Sequence, residues 1–170
     1  MKSKARAEFV ESWGSMGIFW GINRSMARIH ALLIATEEPL TLDDICDELQ
    51  ISRGNASMSL KELRNWRVIQ RVHVPGDRRD FYVTEHDIWS MFFRIAGERK
   101  RREFDPAIAA LRQVLDTAGK SNGKVQARLK QMEDLLQTMD RLMTRALADE
   151  ETSKAMLQLV TRMLDAKDAS

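Results

Sequence analysis

The chain has 170 residues, 44% hydrophobic and 31% charged, with a formal net charge of +2 and only 8 Gly and 3 Pro. That is enough apolar material for one cored domain, or a small domain with an appendage, and it argues against disordered, collagen-like and low-complexity readings. The lone Cys46 excludes a disulfide framework and a cysteine-cluster zinc site and fits a reducing compartment, while the longest apolar run, Ala31 to Ala35, is far below the ~20 residues of a membrane span.

From Arg6 to Thr36 apolar residues recur at helical spacing (Phe9, Val10, Trp13, then Ile22, Met26, Ile29, Leu33), interrupted by Gly14, Gly17 and Gly21. This predicts two helices with a break. The basic start, Met1 to Arg6, runs into Glu8 and Glu11 and not into an apolar stretch, so no export signal is expected, and the cytoplasm is the expected location. After Glu38-Pro39, Thr41 with Asp44 has capping-box spacing and predicts a helix over 42–49. Ser52 caps a second helix over 53–66, with Ala56, Leu60, Leu63 and Trp66 as its apolar stripe. Val68 to Val74 and Phe81 to Val83, joined through Pro75-Gly76-Asp77-Arg78-Arg79, read as a β-hairpin with a basic tip. Thr84, with Asp87 at the third position, is expected to cap a helix over 85–102.

Everything beyond is helical in pattern. A helix at 104–118 is followed by a break at Gly119 to Gly123. Val125, Leu129, Met132, Leu136, Met139, Met143 and Ala146 then recur in alternating steps of four and three, as in a coiled-coil seam. A last helix over 152–166 carries Met156, Leu159, Val160 and Met163 on one side.

A capped helix, a tight connection, a second capped helix and a basic-tipped hairpin spell a winged helix-turn-helix. The expected architecture is mainly α with a small β-hairpin wing: residues 1–103 as N-terminal helices and DNA-binding domain, and 104–170 as a helical dimerisation region. Residues 53–82 hold 7 basic and 3 acidic side chains, while residues 1–52 hold 5 and 8, so the positive excess is concentrated where a polyanion would be met. On a helical wheel Ala56, Leu63 and Arg67 cluster near Leu60; Gly54, Asn55, Met58, Lys61 and Asn65 fall opposite. Arg53 and Asn55, at the helix start, are the expected base readers. Ser52, Ser57 and the first-turn amides suit phosphate oxygens, and Arg78 and Arg79 a minor groove. Against this stand plainer readings: a polar helix face and a turn that merely meet water.

The segment Ile51-Ser-Arg-Gly-Asn-Ala-Ser-Met-Ser-Leu-Lys-Glu-Leu-Arg-Asn-Trp66, with Gly76-Asp-Arg-Arg-Asp-Phe-Tyr82 and Asp87-Ile-Trp89, resembles the GbsR branch of the MarR-type transcriptional regulators, over roughly residues 8–118. The resemblance implies a homodimeric winged-helix repressor or activator, with Arg53, Asn55, Ser57 and Met58 in the recognition helix and Arg78 and Arg79 in the wing. Arg67 departs from the pattern, which usually has Gly after the Trp. The expected partners are duplex DNA, on a pseudo-palindromic site, and a second copy of the chain; no membrane, metal or cofactor is expected.

An exposed seam over 125–146 is expected to pack on the last helix, on a second subunit, or on both. A two-fold dimer sets two recognition helices about 34 Å apart. The aromatic group Trp13, Phe19 and Trp20 reads as core packing or as a cage for a quaternary ammonium effector. His30, His73 and His86 lie far apart and read as solvated or hydrogen-bonded, and Cys46 as a small buried residue. No nucleophile, base and orienting group converge, so an enzyme is not expected. The alternative of another class is a winged-helix protein-interaction scaffold that never touches DNA.

Overall fold

The computed structural model describes residues 3–19, 21–118 and 123–168. They form two compact units, residues 1–91 and 92–170.

The first unit is assembled on a buried helix. α1 (Ser3–Phe19) lies against α2 (Arg24–Ile34), which also touches the later helices α3 (Leu42–Leu49) and α4 (Arg53–Asn65) and strand β3 (Phe81–Thr84). A Cβ at Gly17 would stand 2.5 Å from the Ala27 Cβ, so glycine there is what lets α1 and α2 meet at backbone distance. Gly14 and Gly17 thus lie inside α1; the break comes at Gly21, whose φ of 72° closes the helix as Ile22 N–H donates to the Gly17 carbonyl at 2.7 Å. Asn23 caps α2, its side chain accepting from the Ser25 and Met26 amides. Seven of the eleven α2 residues, Met26, Ala27 and Ile29 to Leu33, are buried, the signature of a helix enclosed on nearly every side.

His30 is one of them. Burial pushes its pKa down to about 4, its Nε2 has no hydrogen-bond partner, and the edge of the Trp13 ring lies 6.5 Å away between centroids. The expectation of a solvated or hydrogen-bonded histidine fails here, because the position faces the packed helices, whereas His73 and His86 are exposed.

β1 (Leu40–Thr41) leads into α3 (Leu42–Leu49), which starts with the expected capping box. The Thr41 hydroxyl oxygen accepts from the Asp44 amide, and the Asp44 carboxylate accepts from the Thr41 amide at 2.8 Å. The Thr41 hydroxyl, which also donates to the Asp44 carboxylate at 2.6 Å, and then the Thr41 amide hold the Asp44 carboxyl below its ordinary range. Gln50, left-handed at φ 52°, turns the chain, and Ser52 caps α4 (Arg53–Asn65). α4 ends in a second left-handed turn. Arg67 has φ 58°, and Val68 N–H donates to the Leu63 carbonyl at 3.2 Å. Glycine is the usual occupant of such a position, so the departure at Arg67 leaves the turn intact with a less suited residue. It also removes Arg67 from the inner helix face, since the helix stops at Asn65.

β2 (Ile69–Val72) and β3 (Phe81–Thr84) form the hairpin, and β1 adds a third strand, so the sheet order is β1-β3-β2, all antiparallel. The short β1 pairs Leu40 with Tyr82 and Thr41 with Phe81. Pro75-Gly76 makes the turn, with Gly76 at φ 86°. Thr84 belongs to β3, opposite Ile69, and does not cap the next helix. That role falls to Asp87, which accepts from the Trp89 amide at 2.9 Å and from the Ser90 hydroxyl, so α5 (Ile88–Arg99) begins three residues later than expected.

In the second unit a π-helical turn, Lys100–Phe104, joins the end of α5 to α6 (Asp105–Ala118), which packs on α7 (Lys124–Ala148); α8 (Glu150–Asp168) follows. Lys100 bridges Asp105 and Asp140 at 2.7 and 2.8 Å, and Arg99, Arg101 and Arg102 pair with Glu103 and Glu98. The expected seam divides. Leu129, Leu136, Met143 and Ala146 are half-buried, whereas Val125, Met132 and Met139 are exposed, joined by Leu135 and Leu142. On α8, Met156, Leu157, Leu159, Val160, Met163 and Leu164 are all exposed. Among the described residues no helix is long and apolar enough to cross a membrane, and no group of three His, Cys, Asp or Glu could hold a metal.

The buried histidine sets a pH dependence. Folding holds His30 neutral down to about pH 4, while the unfolded chain takes up a proton near pH 6.5, so the unfolded state binds more protons between these values and stability falls as pH drops through this window. The expected loss is on the order of 3 kcal/mol at full titration. Denaturant titrations at pH 7 and 4.5 should show a smaller loss in His30→Phe than in the wild type; equal losses would contradict the assignment.

Candidate nucleic-acid interface

α4 is fixed by one face. Ala56, Leu60 and Leu63 are 0%, 1% and 2% exposed, and this anchors the helix along i, i+4, i+7 positions. The opposite face, Gly54, Asn55, Met58, Lys61 and Asn65, is wholly exposed, as the wheel predicts, with Met58 the most outward large apolar side chain at 72%. A Cβ at Gly54 would meet nothing within 4 Å, so packing does not demand glycine here; its effect is to leave the first turn of the helix bare.

The expected contact residues differ in how free they are. Ser52 spends its oxygen on the Asn55 amide at 3.3 Å, yet a hydroxyl that accepts in this way still has its own proton to donate. Ser57 is exposed, and Lys61 and Arg78 are exposed and form no ion pair among the described residues. Arg53, more than half exposed, is paired with Asp43 of α3. Asn55 donates from Nδ2 to the Ser25 hydroxyl of α2 at 2.9 Å, and its Oδ1 accepts from Ser59 at 3.4 Å. Both ends of the amide that would read an adenine are therefore engaged, and Asn55 braces α4 against α2.

The wing arginines divide the same way. Arg79 grips Asp77, with Nη2 to Oδ2 at 2.6 Å and Nε near both carboxylate oxygens, and its guanidinium lies 5.4 Å over the Phe81 ring. Arg79 in turn pulls the Asp77 carboxyl down to about 2. Arg79 shapes the wing and Arg78 is its outward cation. Arg71 pairs with Asp80 across the hairpin at 3.1 Å. A cleft of about 170 Å3 between the start of α3, the start of α4 and the wing is lined by Thr41, Asp43, Arg53, Arg79, Asp80 and Tyr82. It brings Arg53 at the start of α4 and Arg79 of the wing to one place and interleaves them with the carboxylates Asp43 and Asp80, an arrangement that the sequence pattern does not show.

Sequence reasoning missed Asp43, which plays no part in the capping box, and Ser25, thirty residues from its partner. Of the aromatic trio, Trp13 is half-buried and packs beside Phe9 at 5.7 Å as well as near His30; the Phe19 side chain and Trp20 lie outside the described residues. Cys46 is a free thiol, half-buried instead of fully buried, and burial pushes its pKa up.

Residues 20–80 match the sequence model of the MarR family. The chain is 26% identical over 110 residues to the HTH-type transcriptional repressor GbsR of Bacillus subtilis (strain 168), a match covering 65% of this chain and 61% of that one, under two thirds of the relative's own length. It is 28% identical over 145 residues to the HTH-type transcriptional regulator MmpR5 of Mycobacterium tuberculosis (strain ATCC 25618 / H37Rv), covering 82% and 83% of the two chains. A crystal structure of a transcriptional regulator shares the fold, with a TM-score of 0.64 at 23% identity over 85% of this chain and 96% of that one.

Proposed function

We propose that the protein is a sequence-specific duplex-DNA-binding transcriptional regulator, a repressor, acting in the cytoplasm as a homodimer on a pseudo-palindromic site; the match of residues 20–80 to the MarR family model and the two capped helices α3 and α4 support this. The observation that carries this is the bare outer face of α4 beside a wing whose Arg78 is unpaired among the described residues. Such a face fits a major groove about 12 Å wide. The energies permit the contact: an exposed ion pair such as Arg53–Asp43 contributes at most about 1 kcal/mol, a bidentate guanine contact discriminates by about 1–3 kcal/mol, and Asp43 meets only one nitrogen of the guanidinium. Ser52, Ser57 and Lys61 then serve phosphates and Arg78 the neighbouring groove or backbone, with Arg79 holding the wing in shape. No catalytic step or cofactor enters this reading.

Residues 1–103 would bind DNA and 104–170 dimerise. The exposed apolar line of α7 and the apolar surface of α8 support this, since each large side chain left in water forgoes roughly 1.5–3 kcal/mol of burial. A small effector that prefers one spacing of the paired α4 helices would couple to DNA affinity, and Trp13 is the described candidate for its contact. The same apolar surface would also suit the second reading, a protein-binding scaffold. Heparin retention and a steep fall of duplex affinity with salt are expected of the regulator only.

Titration of a duplex enriched by the protein from a random-sequence pool, against a scrambled duplex, separates the roles. Arg53→Ala should cost about 1–3 kcal/mol on the enriched duplex alone. Arg78→Ala should weaken both similarly and lower the salt slope by about one. Identical behaviour of the two variants would contradict the assignment. Light scattering at micromolar concentration should give twice the chain mass, and a monomer would refute the homodimer.

A further inference from the structure

Asp43 has no duty in its own helix that Asp44 does not already perform. Asp44 closes the capping box with Thr41, while the Asp43 carboxylate leaves α3 and meets the guanidinium of Arg53, the first residue of α4 and ten positions on. The wing carboxylates pair within the wing, Asp77 with Arg79 and Asp80 with Arg71. Among the described residues, Asp43 makes the ion pair that joins α3 to the start of α4. Its contact is to a single nitrogen, Nη1, so the other edge of the guanidinium, with its remaining donors, is left open.

We propose that Asp43 is a positioning residue that sets sequence specificity, staying paired with Arg53 in the complex and aiming the open edge of its guanidinium at a guanine. This rests on the DNA-binding reading above. The physics favours discrimination for two reasons. A guanidinium already fixed on one edge loses less rotamer freedom when its other edge meets the O6 and N7 acceptors of guanine. On the wrong sequence Arg53 has only phosphates to turn to. To reach them it must abandon Asp43 and leave that carboxylate uncompensated beside a polyanion. Asp43 therefore strengthens the right complex and withholds one cation from the wrong one. Were Asp43 a simple blocker that Arg53 had to leave in every complex, removing it would tighten the right site at least as much as the wrong one.

The test is Asp43→Asn in the full chain, measured on the pool-enriched duplex and on its scrambled counterpart over a salt series, with Asp47→Asn as the control. Asp47 lies one turn on in α3, is exposed, and has no ion pair among the described residues. Asp43→Asn should tighten the scrambled duplex about two- to fivefold, raise its salt slope by about one, and leave the enriched duplex equal or weaker, so the ratio falls. Asp47→Asn should leave the ratio unchanged, and in an Arg53→Ala background the ratio change from Asp43→Asn should vanish. The proposal is overturned if Asp43→Asn tightens both duplexes alike, if Asp47→Asn does the same as Asp43→Asn, or if the effect survives without Arg53. A wild-type chain that enriches no sequence would sink the DNA-binding reading and this inference together, whereas enrichment with an unchanged ratio in Asp43→Asn would sink this inference alone.

Discussion

Burial of one side of α4 decides which side chains the first unit turns outward. Ala56, Leu60 and Leu63 are sealed in a core whose central member is α2, and a helix held by residues at that spacing has no rotational freedom left. The positions at 100° intervals on the far side must then face outward, whatever their identity. What the sequence places there, Gly54, Asn55, Met58 and Lys61, is small, polar or flexible. The core thus does for function what no surface contact could do, by fixing the direction in which the helix points.

Around that face, charge is balanced and not simply accumulated. A cluster of bare arginines would bind any polyanion without preference. Here Arg53, Arg71 and Arg79 are each answered by a carboxylate, and Arg78 and Lys61 stand unpaired among the described residues. Exposed pairs of this kind add little stability. Their effect is geometric: they hold side chains in place, Arg79 over Phe81 and Arg53 beside α3.

The helices, the wing and the outward face of α4 were legible in the sequence because each has a local signature: a cap, a period, or β-branched runs about Pro75-Gly76. What was not legible depends on residues far apart. β1 is two residues long and exists only because β3, some forty positions on, offers it a ladder. Thr84 and Asp87 both have cap chemistry, and the choice between them is made by the pairing of Thr84 with Ile69. Asn55 looked like a free reader until Ser25 claimed its amide. The heptad of α7 was read as one seam, yet α6 takes only part of it and leaves Val125, Met132 and Met139 in water, because a helix with apolar residues on two faces shows one pattern in sequence and two in space.

The direction of α4 is therefore the claim to probe. A photoreactive benzoylphenylalanine in place of Met58, irradiated with a bound pool-enriched duplex, should form a covalent adduct to a base within the enriched motif, since Met58 is the most exposed of the large apolar side chains described. Duplex bound without any adduct from this position, or a cross-link formed only to protein, would mean that this surface faces something other than nucleobases.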